Sequence, residues 1–175
     1  MFQKKINGAW SNITTVKEKI NGAWSSCKEV QKKNNGTWSI VWLPSKTLVI
    51  NDPGGSYGVS KKTTSSGCQI EQSGYADNFG KPYFDFYLRT GHKLSFNYSA
   101  TLYDATWLYS AGYINIEVDS KTYQITNTSS ATFSYTATSN KDLRFVIRIY
   151  NAKLIIKNAE AIETYGSNST THDFI

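Results

Sequence analysis

Tyr83-Phe84-Asp85-Phe86-Tyr87-Leu88-Arg89 alternates apolar and polar side chains without a break. Phe84, Phe86 and Leu88 fall on one side, and Tyr83, Asp85, Tyr87 and Arg89 on the other. A period of two is the signature of a strand with one buried face. The same alternation follows in Leu94, Phe96, Tyr98, Ala100 and Leu102, in Ile114, Ile116 and Val118, and in Tyr123 and Ile125. Phe133, Tyr135 and Ala137 repeat it, as do Leu143, Phe145, Ile147 and Ile149, and the run Leu154 to Lys157 closes the pattern. Short runs of this kind, separated by Gly, Asn, Asp and Ser clusters, predict an all-β sandwich. Asp119-Ser120-Lys121 and Ser139-Asn140-Lys141 read as tight turns. Residues 51–68 read as a loop with one irregular strand, and no segment reads as a helix. Residues 45–165 hold enough runs for about eight to ten strands, which suits a jelly roll of two packed sheets.

Upstream the pattern is different. Lys5-Ile6-Asn7-Gly8-Ala9-Trp10-Ser11 recurs as Lys19-Ile20-Asn21-Gly22-Ala23-Trp24-Ser25 and, altered, as Lys33-Asn34-Asn35-Gly36-Thr37-Trp38-Ser39. The fourteen-residue period is also kept by Val16 and Val30. Asn-Gly is the favoured two-residue turn of a β-hairpin, because both central residues need positive φ. Turns at Asn7-Gly8, Asn21-Gly22 and Asn35-Gly36 pair Lys5 with Trp10, Lys19 with Trp24 and Lys33 with Trp38. A Lys stem lying over an indole covers apolar area and adds about 0.5–1 kcal/mol of cation–π attraction at an exposed site. A lone hairpin is marginal in water. Three in tandem therefore share a face or dock on a partner chain. Two readings stay open for them: a stalk or docking strap, or a ligand surface whose Trp row stacks on sugars or whose Lys row meets phosphates.

Composition separates the same two regions. The chain has 175 residues, enough for one domain and a small appendage. Residues 1–44 carry a net charge of +5 and the remainder +1. Four of the five Trp lie in the first region, and all twelve Tyr lie between Tyr57 and Tyr165. The expected organisation is 1–44 as tandem hairpin repeats, 45–165 as the jelly roll and 166–175 as a C-terminal tail.

Several function classes are not expected. No apolar run approaches the roughly 20 residues of a membrane span, and Met1-Phe2-Gln3-Lys4-Lys5 leads into no apolar signal region. Cys27 and Cys68 form no CxxC pair and read as free thiols, so no metal and no cofactor is expected. His92 and His172 lie too far apart in sequence to suggest a cluster. Glu117/Asp119 and Glu160/Glu163 read as surface charge, and no nucleophile motif accompanies either His. Asp52-Pro53-Gly54-Gly55 is a turn, since no Gly-Lys-Ser/Thr follows it. The expectation is a protein that is not an enzyme. A Lys-rich segment without Arg suits solvation more than phosphate forks, so nucleic acid is not an expected partner either.

Residues 3–42, with their Lys-x-Asn-Gly-x-Trp units, resemble the short tandem motifs of tail and other virion structural proteins of tailed bacteriophages. Choline-binding cell-wall repeats also carry Asn-Gly-x-Trp, but theirs are longer and add aromatics where Ser11 and Ser25 stand here. Residues 46–163, from Lys93-Leu94-Ser95-Phe96 to the closing Leu154-Ile155-Ile156-Lys157-Asn158-Ala159, resemble galactose-binding-like jelly rolls of carbohydrate-binding modules. The resemblances imply a virion component (tail, fibre or capsid surface) in contact with other virion subunits, itself a homo-oligomer, and able to display a glycan- or receptor-binding domain. The alternative is a free carbohydrate-binding protein acting on cell-wall or surface glycan; a cryptic glycan hydrolase is a third reading.

The polar sides of the strands supply the candidate ligand residues. Alternation exposes Tyr83, Asp85, Tyr87 and Arg89, then Asn97 and Ser99, then Tyr113, Asn115 and Glu117, then Arg144, Arg148 and Tyr150. Flat aromatic rings stack on the C–H faces of sugars, while Asp, Asn and Arg hold hydroxyls. The expected glycan residues are Tyr83, Asp85, Tyr87, Arg89, Asn115, Arg148 and Tyr150, with Trp107 from the loop 103–109. Against this stands the reading that these are ordinary sheet residues of high β-propensity, or lie between subunits.

Overall fold

Positive φ at two successive residues is what a type I′ hairpin turn demands. Asn21 (49°) and Gly22 (86°) supply it, as do Asn35 (47°) and Gly36 (86°). The computed structural model describes residues 3–6, 9–12, 15–51, 58–72, 80–106 and 110–175, with the backbone alone for 3–6 and 9–12. β1 (Gln3–Ile6) pairs with β2 (Ala9–Asn12), β3 (Lys17–Ile20) with β4 (Ala23–Ser26), and β5 (Val30–Asn34) with β6 (Thr37–Trp42). The register sets Lys5 opposite Trp10, Lys19 opposite Trp24 and Lys33 opposite Trp38. The Asn7-Gly8 turn lies outside the described residues. Lys33 Nζ sits 5.8 Å from the centre of the Trp38 ring.

The hairpins differ in what surrounds them. β3 and β4 are exposed along their whole length. β5 and β6 run on into the sandwich, where Trp42 and Leu43 are buried. A register shift between Val30 and Gln31 bends this third hairpin at that end.

The remaining strands are β7 (Thr47–Leu48), β8 (Val59–Thr64), β9 (Gly67–Gln72), β10 (Tyr83–Leu88), β11 (Lys93–Leu102), β12 (Tyr113–Val118), β13 (Lys121–Ile125), β14 (Ser129–Thr136), β15 (Lys141–Tyr150), β16 (Ala152–Lys157), β17 (Glu160–Tyr165) and β18 (Asn168–Phe174). There is no helix among the described residues, so none is long and apolar enough to cross a membrane. Strands pair in nested fashion: β12 with β13, β11 with β14, β10 with β15, and β9 with β16. Rolling this long folded-back ladder brings β15 beside β12 and β16 beside β11. The outcome is one sheet in the order β10-β15-β12-β13, and a second containing β8-β9-β16-β11 with β14 also on β11. That arrangement is a jelly-roll sandwich. Asp119 (φ 53°) and Ser120 (φ 61°) make the innermost turn.

The alternating apolar residues meet between the sheets. Phe84 stacks on Phe145 at 4.7 Å and meets Phe174 edge-on at 5.0 Å, and Phe96 packs 5.0 Å from Phe133. Ile114, Ile116, Leu143, Ile147 and Ile149 fill the same core from the four-stranded sheet, and Leu94, Leu154 and Ile156 from the other. Each fully buried side chain of this size contributes about 1.5–3 kcal/mol of transfer free energy.

Two segments depart from expectation. Residues 166–175 are not a tail: β18 pairs antiparallel with β17 and parallel with β7, and buries His172 and Phe174. Within 51–68, the Lys-rich run Val59–Thr64 is a regular strand paired along its length with β9. It is an edge strand, where Lys is a common guard against further pairing.

Candidate functional site

The outer face of the four-stranded sheet is built by register. Opposite residues on adjacent strands are Asp85 and Arg144, Tyr83 and Val146, Arg148 and Asn115, and Tyr150 and Tyr113. Since Phe84, Phe145 and Ile116 point inward, all of these point outward. The sheet thus brings Tyr83, Asp85, Tyr87, Asn115 and Arg148 onto one face, with Tyr113, Glu117 and Arg144 beside them.

The charges on that face hold one another. Arg144 Nε and Nη2 reach the two Asp85 carboxylate oxygens at 2.8 and 3.0 Å. The Arg144 guanidinium also lies 4.0 Å above the centre of the Tyr83 ring. Arg148 Nε is 2.5 Å from Glu117 Oε1, one step diagonally across the ladder. Asn115 Oδ1 lies buried beneath this face, with no hydrogen-bond partner among the described residues. The face itself presents a guanidinium-capped Tyr83, the 40 % exposed Tyr87 and the Asp85–Arg144 pair. Such a surface can stack on a ring and exchange hydrogen bonds with hydroxyls.

Other expected residues lie elsewhere. Tyr150 projects from the same side but is buried, stacked on Tyr113 at 5.7 Å, so it presents no free ring. Arg89 follows the last residue of β10 and pairs with Glu29 of the segment leading into the third hairpin. Asn97 and Ser99 belong to β11 in the other sheet, bonded to Thr132 and Ser130. Trp107 lies outside the described residues. Of the repeat residues, Trp24 is 67 % and Trp38 62 % exposed.

Glu163 was expected as surface charge, and His92 and His172 as unrelated. In the fold they meet. Glu163 is 3 % exposed, with His92 Nδ1 2.6 Å from Oε1 and His172 Nε2 3.2 Å from Oε2. His172 Nδ1 accepts the Lys46 backbone N–H at 3.0 Å, so its proton sits on Nε2 and points at the carboxylate. Burial pushes the Glu163 carboxyl up, but the hydrogen bonds from His172 and His92 outweigh it and hold the group below its ordinary value. These ring nitrogens and oxygens are spent on each other. Among the described residues no group of three or more His, Cys, Asp or Glu is arranged to hold a metal ion.

The cluster lies where the third hairpin joins the sandwich. Leu43 N–H donates to Tyr165 Oη at 3.2 Å, Asn168 Nδ2 to the Ile40 carbonyl at 3.3 Å and Thr170 Oγ1 to the Leu43 carbonyl at 3.1 Å. Tyr165 stacks on His92 at 5.4 Å. Alternation alone could have marked Glu163, because it shares a side of β17 with Ala161 and Tyr165, both buried. Comparison with protein-family models, with curated proteins and with solved structures finds no match for this chain.

Proposed function

We propose that the chain is a structural and interaction protein of a tailed-phage virion, whose jelly roll displays the outer face of its four-stranded sheet to a host-surface glycan. The observation that carries the glycan half is the convergence of Tyr83, Tyr87, Asn115 and Arg144 from three strands onto one exposed face. The virion half rests on the repeats. The second hairpin, exposed along both strands and showing Trp24 and Ile20, suits contacts with other subunits or a homo-oligomer. One sugar on so shallow a face binds weakly, and several copies on a particle supply avidity. The buried carboxylate of Glu163 is committed to two His, and Asp85 and Glu117 on the sheet face are held by Arg144 and Arg148, an arrangement suited to binding rather than bond cleavage.

The test has two arms. Particle fractionation asks whether the chain sediments with virions. Cell-binding and glycan-array assays compare wild type with Tyr87→Ala and Arg144→Ala; Arg144 is chosen over Arg89 because Arg89 faces the hairpin. Loss of binding in both variants supports the sheet face. Binding equal to wild type in both removes it, and a chain absent from particles removes the virion assignment.

A further inference from the structure

The third repeat has a neighbour that the second lacks. Trp38 lines an open cleft of 540 Å³ whose other walls are the turn at Thr90–His92 and the turn at Tyr165–Asn168. Its volume falls within the about 300–1,000 Å³ of small-molecule sites. The walls are held apart by structure already described. Asn168 and Tyr165 anchor the hairpin, and the Thr90 backbone N–H and hydroxyl both donate to Asn140 Oδ1, at 2.7 and 3.1 Å.

The lining has the chemistry of a polyol site. Trp38 gives one large exposed indole. Around it stand the hydroxyls of Thr90 and Ser167, the Asn168 amide and the His92 ring. His92 is oriented from behind, since its Nδ1 is bonded to Glu163, and its Nε2 has no partner among the described residues. The side chains lining this cleft carry no Lys, Arg, Asp or Glu, and the nearest charge described at the indole is Lys33 Nζ, 5.8 Å from the ring centre and outside the lining. That argues against a phosphate or a carboxylate as the ligand and in favour of an uncharged ring bearing hydroxyls. The repeat sequence changes at the same place: Ile20 and Ala23 of the second repeat are replaced by Asn34 and Thr37 in the third.

We propose that Trp38 and the two sandwich turns beside it form a saccharide site that stacks one uncharged pyranose ring on the indole and holds its hydroxyls from the His92 and Ser167 side. This shares with the preceding reading the premise of a glycan ligand but locates it at a different surface. The last repeat is then part of a binding site, while the second repeat presents the same Trp on a fully exposed hairpin. Trp24 becomes an internal control: it has the same cross-strand Lys and similar exposure, on a hairpin exposed along both strands.

The experiment is an NMR titration of the full ¹⁵N-labelled chain with the methyl glycosides of glucose, galactose, mannose and N-acetylglucosamine. Indole signals are assigned by single Trp→Phe changes. The expected result is saturable shifts, with at least one glycoside, at the Trp38 indole and at the amides of Thr90, His92 and Ser167, and none at Trp24. Trp38→Ala should weaken binding at least about tenfold, and Trp38→Phe should keep part of it. The amide spectrum of the sandwich verifies that each variant is folded. No shift at Trp38 with any probe overturns the proposal. So do equal shifts at Trp24 and Trp38, which mean generic stacking on exposed indoles. Shifts confined to Tyr83, Tyr87 and Asn115, lost in Tyr87→Ala and kept in Trp38→Ala, overturn it while leaving the sheet face standing. Shifts lost in Trp38→Ala and kept in Tyr87→Ala do the reverse.

Discussion

Removing the Glu163 carboxylate should cost more than a typical core substitution, and the structure says how much. In Glu163→Ala two buried ring N–H groups, on His92 and His172, lose their acceptor. Each orphaned donor costs about 1–3 kcal/mol, giving about 2–6 kcal/mol before any cavity is counted. Glu163→Gln is the informative companion. Its amide oxygen can still accept from His172, whose tautomer is fixed by Lys46. Its NH₂ must then face His92, which can move its own proton to Nε2. The cost is the lost charge assistance alone, about 1–3 kcal/mol. Urea unfolding of the full chain at neutral pH, with unchanged m, reads both values. The pH dependence has a defined sign. A carboxyl held below its ordinary value of 4.5 binds its proton more readily in the unfolded chain. Its stabilisation is therefore complete above pH 4.5 and is lost as pH falls through the lower folded value. The stability gap between wild type and Glu163→Gln should close over that window. An Ala variant within about 0.5 kcal/mol of wild type, or a gap that persists well into acid, would refute the reasoning.

Two glycine substitutions separate local from global effects. Gly22→Val, at φ 86° with nothing within 4 Å of the new Cβ, should strip amide protection from the second hairpin and leave the urea midpoint of the sandwich unchanged; a shifted midpoint contradicts it. Gly67→Ala places a Cβ 2.0 Å from the Ile156 carbonyl oxygen at φ 139°, and should lower stability by more than about 3 kcal/mol in the same unfolding assay. A near-neutral result means that β9 and β16 approach less closely than described.

The parts legible in the sequence were those whose signal is local. Asn21-Gly22 and Asn35-Gly36 announced their turns because few other residues accept positive φ twice in succession. The rows Phe84/Phe86/Leu88 and Phe145/Ile147/Ile149 announced their faces because both lie in a sheet with one side fully buried, although β10 is its edge strand. β18 was not legible, since Asn168-Ser169-Thr170-Thr171-His172-Asp173-Phe174 buries only two side chains and one of them is a histidine. β8 was hidden for a similar reason, its Lys61 and Lys62 being edge residues with little to bury. The sheet face was half legible. Alternation placed Tyr83, Asp85, Tyr87, Asn115 and Arg148 together, but could not say that Asp85 would be taken by Arg144, or that Arg89 would turn to Glu29. The Glu163 cluster joins the β17–β18 hairpin, which carries Glu163 and His172, to His92 far upstream, and no spacing rule connects His92 to Glu163.

The nested ladder also fixes the order in which this chain can fold. β12 and β13 need only close the turn at Asp119-Ser120, whereas β9 cannot meet β16 until the chain through Lys157 exists. Long-range pairing of this kind folds in milliseconds to seconds, whereas a hairpin closes in about 1–10 μs. During synthesis at about 5–20 residues per second, the interval between Trp42 and Lys157 is on the order of ten seconds. Throughout it the second and third hairpins have time to open and close many times, displaying Trp24 and Trp38, while everything that will flank the third is still unmade. A partner that recognises the second hairpin can therefore engage the nascent chain, whereas one that requires Trp38 together with Thr90 and Ser167 must wait for the finished protein.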